Sequence, residues 1–535
     1  MIVLATAATQ VLFPVYSNLV ATDDGRAVYF NAPGALFVAK LARAGVSVTS
    51  VSGLGPFMDV DGAGAVVAFG DYRSKRCTGC CSTCALAADC AGSFHIDGPG
   101  VSLSGPASNM VRMDNSAKYA WIQARCCFPH AGTWPACADM SGLYDISDGK
   151  NARPAAANAQ SLSLANSSYG RRAITVAGRA LVFRGGQLEW LDDSGEHPIR
   201  HVSSAYEAVT DSAGANVAYV ETKIGKLHWI AATDRGVGID EDLGLTGSAP
   251  AIAADGSFLA FLTVDGTLQI YRRATREVRS MSADAYVTFA VGGTTIFGVT
   301  TTGQLMRTYP TTGEKVLVLP PMPEISSVYT RAMLLTSCGL VCYGQDEIGY
   351  QLTGGMILLF AGEHFTQPGW RIRVGGADLA PVILSDKAAY IQVPSSTPQN
   401  ASTLDLYNAN YPMHSSFSVR MYSNFVAACF GSLHEKFDRL VSTDDPAVSG
   451  EVVHMFLTGL RGTQPVPDGV PNPSEPLIPV ANPPSINPNA ASVLFFGLAP
   501  GLIGIQQLDL KVLAPFENEY VLGGAGCTLP AITRR

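Results

Sequence analysis

The most reactive side chains in this sequence are its cysteines, and their spacing limits what they can do. Eight of the twelve lie between residues 77 and 137: Cys77, Cys80, Cys81, Cys84 and Cys90, then Cys126, Cys127 and Cys137. Paired Cys-x-x-Cys units can hold zinc tetrahedrally, and His95 and His130 stand near enough in sequence to be further ligands. Zinc knuckles, however, usually come as two units about a dozen or more residues apart, whereas Cys80 and Cys81 abut. Thiols clustered this way become disulfides in an oxidising compartment. Disulfides stapling a long loop are therefore the stronger reading, with zinc at Cys77, Cys80, Cys81 and Cys84 the alternative. Eight thiols allow roughly a hundred pairings, so connectivity stays open. Cys338 and Cys342 could close a tight loop, and Cys429 could pair with Cys527 across the ends of a last domain.

Other polar groups offer less. His197 and His201 would share a helix face and could bind metal, but Pro198 and the surrounding strand cues favour a solvent-facing hairpin. Asp234 to Asp242 has a calcium-like acidity and reads better as a solvated loop. Trp134, Trp190, Trp229 and Trp370 could stack on sugars, although in strands such residues more often fill cores. The sequence has no Gly-x-Ser-x-Gly elbow, phosphate loop or His-Glu-x-x-His motif. No catalytic residue, cofactor or resident metal is expected.

The elements that must position these groups are strands. Charged residues make up only 15% of the 535, against roughly 25% in ordinary soluble domains, while glycine (54) and proline (32) abound. That mixture suits many short strands and tight turns, so the chain reads as all-β. A net charge of −8 without a basic stripe argues against nucleic acid as a partner. No run of about 20 apolar residues exists, so no membrane span is expected. Residues 1–13 are apolar without a preceding Lys or Arg, and read either as a truncated export signal or as a first strand.

A pattern recurs through the first 320 residues: an alternating strand, an Asp/Asn/Gly turn, then a strand rich in Ala, Val, Phe and Tyr. Its clearest copy is Pro250 to Phe261, and its turns fall near 24, 61, 114, 177, 213, 255 and 292. Asp24, Asp61, Asp114, Asp211 and Asp255 lie at these turns, where turn formation accounts for them better than calcium binding does. Two-residue hairpins are expected there. Most intervals are close to the roughly 40 residues of a propeller blade, so about seven blades are expected. These copies resemble the Asp-Gly repeats of the TolB propeller, in the broader WD40-like class.

Past Pro320-Pro321-Met322-Pro323 the repeat stops. Residues 354–365, 370–376 and 388–396 follow an order that resembles IPT/TIG Ig-like domains. The final segment carries Ser449-Gly450-Glu451, Thr458-Gly459-Leu460, Val466-Pro467-Asp468-Gly469, Gly497-Leu498-Ala499-Pro500-Gly501 and Gln507-Leu508-Asp509. Together these resemble the C-terminal domain of exported proteins from Solibacter-type acidobacteria, with Ser449 standing where proline is usual and Arg461 interposed before Gly462. The resemblance implies a secreted or surface context and brings no active-site residue.

The expected organisation is a β-propeller over 1–323 with a Cys-rich insertion at about 74–140, an Ig-like sandwich over 324–424, and a second sandwich over 425–535. The expected function is an extracytoplasmic, monomeric binding protein whose propeller face engages a protein or carbohydrate. A propeller-based glycan lyase or hydrolase, with its site at the central channel, is the alternative.

Overall fold

The computed structural model describes residues 16–513 apart from 33–34, 43–44, 53–56, 73–91, 107–109, 124–141, 157–161, 166–171, 202–205, 232–237, 323, 330–350, 399, 401–402, 419, 423–427, 443 and 484–490. The described chain is all-β: it contains no helix, and nearly every strand pairs antiparallel. No helix among the described residues is long and apolar enough to cross a membrane. Two compact units emerge, Phe13–Pro321 with Tyr411–Met413, and Met1–Leu12 with Met322–Asn410 and His414–Arg535.

In the first unit the strands run in up-and-down order. Four separate four-stranded sheets cover residues 17–52, 57–106, 110–154 and 163–201, and a ten-stranded sheet covers 207–319. The last is three meanders joined by two long strands, Asp240–Ile252 and Glu277–Gly292. Each bends at a register shift, so its first part pairs backward and its second part forward. Seven four-strand meanders result. The opening strand Ser17–Ala21 packs against Glu277–Gly292 and Thr295–Thr300, so the first meander meets the seventh. The Tyr16 hydroxyl donates to the Pro320 carbonyl at 2.6 Å and ties the ends of the unit together.

Apolar side chains on alternating strand positions fill the spaces between successive meanders. Trp121, Trp190 and Trp229 are essentially buried there, which removes Trp190 and Trp229 from any sugar-stacking surface. His197 and His201 lie on the strand Gly195–His201, as a hairpin requires, with the His197 ring beside Asp192 and Ser194. The acidic stretch near 240 differs from expectation. Asp240, Glu241 and Asp242 belong to a strand, and Arg200, Lys226 and His228 from neighbouring strands, with Arg273 and Arg276 from the turn after Thr267–Arg272, pair with them.

In the second unit one sheet joins Glu324–Tyr329, Ile357–Glu363, Ala388–Gln392 and Val382–Ser385, and another joins Ala377–Leu379, Trp370–Val374, Thr403–Asn408 and Tyr411–Ser418. Leu358, Phe360, Trp370, Ile372, Ile391 and Leu406 from both sheets share one core. A further sheet joins Ala428–Leu433, Val452–Thr458, Gln506–Val512 and Ala491–Leu498 over Val453, Met455, Leu508 and Leu510. Two buried histidines brace it: His434, past the end of Ala428–Leu433, to Glu451, and His454 across the strands to Asp509, each at 2.6 Å.

Candidate functional site

Each meander of the first unit begins with a strand and a turn, and these turns assemble a polar cluster that links several meanders. In the first six meanders the turn has one geometry. The amide of the fourth residue donates to the carbonyl of the first: Gly25 to Thr22, Gly64 to Asp61, Ala117 to Asp114, Gly178 to Thr175, Gly214 to Asp211 and Gly256 to Ala253. The fourth residue has positive φ in all six, so these are longer loops than two-residue hairpins. A turn followed by one left-handed residue matches strand twist as well as a two-residue loop does, and needs only a single glycine.

The aspartates expected to form turns do so. Asp61 accepts from the Ala65 and Val66 amides, Asp114 from Lys118 and Tyr119, Asp211 from Ala215, Asp24 from Arg26 and Asp255 from Ser257. With their carboxylates held by local amides, what remains is the second residue of each turn: Asp23, Gly62, Asn115, Val176, Ser212 and Ala254. These link meander to meander. The Asp23 amide donates to Gly62, Gly62 to Asn115, Val176 to Ser212 and Ser212 to Ala254, at 2.8–3.1 Å.

Where the second residue is polar, its side chain turns inward. Asn115 donates through Nδ2 to the Asp23 carboxylate at 2.7 Å and to the Ser212 hydroxyl at 2.5 Å. Arg172, which enters the fourth meander, donates to the Asn115 carboxamide and to Asp23. Its side chain is 13% exposed against 33% for Asp23. Burial pushes the Asp23 carboxyl up despite the facing guanidinium, and the same burial pulls Arg172 down. Five meanders are thus represented in one network: Asp23, the Gly62 backbone, Asn115, Arg172 and Ser212.

Beside it lies Asp59, buried, with one carboxylate oxygen accepting from the Val60 amide at 2.9 Å and the other from Met113 at 2.7 Å. Desolvation raises its carboxyl to about 6, more than the Arg112 guanidinium and those two amides can offset. Asp59, Asp61, Arg112, Asn115 and Arg172 line a cavity of about 30 Å³. Such a space holds one or two waters and no sugar ring. Chemically the arrangement is a polar lock whose donors and acceptors mostly satisfy one another.

Asp59 makes a pH prediction. Its folded-state value lies above the ordinary 3.8, so its contribution to stability is complete below about pH 4 and is lost as pH rises through about 6. Relative to Asp59→Asn, the wild-type chain should lose on the order of 2 kcal/mol of stability between pH 4 and 7. Urea unfolding of both proteins at the two pH values measures this, and parallel profiles would refute it.

Of the cysteines, only Cys429 lies among the described residues. It sits on the strand Ala428–Leu433 opposite Leu457. Cys77, Cys80, Cys81, Cys84, Cys90, Cys126, Cys127, Cys137, Cys338, Cys342 and Cys527 lie outside them, as do His130 and Trp134. His95 is described, its ring stacked 5.3 Å from Phe69. No motif or local spacing singles out Asp23, Asp59, Arg112, Asn115, Arg172 and Ser212. Aligning the six turns that share this geometry on their left-handed residue brings three of them, Asp23, Asn115 and Ser212, into one column.

No family model matches the chain, and no curated protein matches it. Solved structures similar to parts of it include the periplasmic gluconolactonase PpgL of Pseudomonas aeruginosa. That likeness has 13% identity and a TM-score of 0.34, and covers 57% of this chain and 96% of the other. Another is KlHsv2 with loop 6CD replaced by a Gly-Ser linker, at 10% identity and a TM-score of 0.31, covering 55% and 91%. Likeness at this level carries no functional assignment.

Proposed function

We propose that the protein is an exported binding protein. In this reading residues 13–321 are a seven-bladed β-propeller, each four-strand meander one blade, and the following chain holds two Ig-like sandwiches that act as spacers. The last sandwich would be of the type found in exported proteins of Solibacter-type acidobacteria. Seven meanders in chain order, with the first packed on the seventh, support the propeller. The observation that carries binding over catalysis is the lock itself: the central polar side chains engage one another around a 30 Å³ cavity. Asp59 favours the alternative, a channel-centred lyase or hydrolase, because a carboxyl near 6 suits a general acid. Against that role, both of its oxygens already accept backbone amides.

The test is a polysaccharide panel assayed in parallel for binding and for chain cleavage. Binding without cleavage is the expected result. Cleavage by the wild type that disappears in Asp59→Asn would replace this reading with the enzymatic one. The exported context has its own check, non-reducing mass spectrometry with metal analysis of the native protein. Disulfides among the 77–137 cysteines are expected, and reduced, zinc-loaded thiols would overturn the assignment of compartment.

A further inference from the structure

The first and seventh meanders pack together through Ser17–Ala21, Glu277–Gly292 and Thr295–Thr300, and their later strands leave a cleft of about 710 Å³ between them. Arg26, Leu41 and Val46 line it from the first meander, and Arg307, Tyr309 and Val316 from the seventh. Two of these residues stand out in a chain of net charge −8. Most described arginines outside the cleft sit against a carboxylate or a carbonyl, such as Arg153, Arg184, Arg279 and Arg373. Arg26 and Arg307 are in no salt bridge among the described residues, and the carboxylate on which both guanidinium charges act is Asp24. Arg307 instead lies over aromatic faces, 4.5 Å from the Tyr309 ring centre and 5.8 Å from that of Phe297, and its Nε is buried without an acceptor. Asp24, the one carboxylate among the described lining residues, has an oxygen taken by the Arg26 amide and the Thr22 hydroxyl, and feels both guanidinium charges.

We propose that this cleft binds an acidic oligosaccharide through its carboxylates. Two guanidiniums from opposite walls are placed to bind carboxylates, the chemistry for which the arginine fork is suited. The aliphatic side chains of Leu41, Val46 and Val316 give the apolar surface on which sugar rings rest, and the Tyr309 ring holds the Arg307 guanidinium in place. The volume is that of an ordinary small-ligand site. Asp24 is left to accept sugar hydroxyls. This rests on the binding-protein reading and names the class of ligand.

The experiment is calorimetric titration of the full chain with trigalacturonate, and with the neutral trisaccharide cellotriose, at low and high salt. Trigalacturonate should bind, cellotriose about tenfold or more weaker, and the difference should shrink as salt screens the charges. The variant Arg26→Gln changes an exposed side chain and should weaken trigalacturonate by about fivefold, and Arg26→Gln/Arg307→Gln by more than either alone. Circular dichroism confirms that each variant is folded. Equal binding of the two sugars, or unchanged binding by the double variant, would overturn the proposal. So would tight binding of a polyglutamate peptide with none of trigalacturonate. If trigalacturonate fails while another glycan of the panel binds without cleavage, the cleft assignment falls and the binding-protein reading stands. Cleavage of the glycan would instead overturn that reading.

Discussion

Replacing Arg172 by methionine is expected to cost about 2–4 kcal/mol, below the top of the range for removing one member of a buried ion pair because Asp23 keeps a third of its side chain exposed. The variant leaves the Asp23 carboxylate in a site that already disfavours its charge, and leaves the Asn115 carboxamide oxygen without its donor. Because the network joins the first, second, third, fourth and fifth meanders, the loss should be felt far from residue 172. Hydrogen exchange read by mass spectrometry should show faster exchange in Ser17–Ala21 and Met110–Met113 as well as around Ile174. The double variant Arg172→Met/Asp23→Asn should recover much of the stability, since it removes the stranded charge. If the single variant exchanges faster only at residues next to 172, the cluster does not join the meanders.

Gly293→Ala is expected to be as damaging through sterics alone. A Cβ at Gly293 would stand 1.9 Å from the Asp23 carbonyl oxygen, with φ at +54°. The obstacle is backbone on both sides, so no rotamer can relieve it, and the first and seventh meanders would have to separate. Gly185 provides the control: its φ is also +54°, and nothing lies within 4 Å of its Cβ position. Gly185→Ala should cost only the left-handed conformation, about 1 kcal/mol, whereas Gly293→Ala should cost on the order of 3 kcal/mol or more. Thermal unfolding of the two variants beside the wild type measures the difference. Equal losses would mean that the contact between the end meanders is soft.

Strand content, turn placement and the recurrence were readable because they are local. Period-two burial in Trp370–Val374 shows in the side chains themselves, and Asp61 or Asp211 can hold a turn by reaching amides four or five residues on. His197 and His201 were placed on a strand by the same kind of evidence, since Pro198 tells against a helix over a few residues. The strand at Asp240–Asp242 leaves no local sign because its partners, Arg200 on Gly195–His201 and Arg273 and Arg276 in the turn after Thr267–Arg272, lie far off in sequence.

The cysteines are known from sequence alone, since all but Cys429 fall outside the described residues. By itself the sequence determined an all-β chain of repeated strand-turn-strand units, because backbone preference and burial alternation act over a few residues. Tertiary structure decided which polar residues converge. Arg172 and Asp23 are 149 positions apart, and nothing in either neighbourhood marks them as partners. Likewise Arg26 and Arg307 share a cleft only because the first meander closes against the last. Charge pairs and clefts depend on distance in space, and seven meanders brought together bridge separations that no local pattern records.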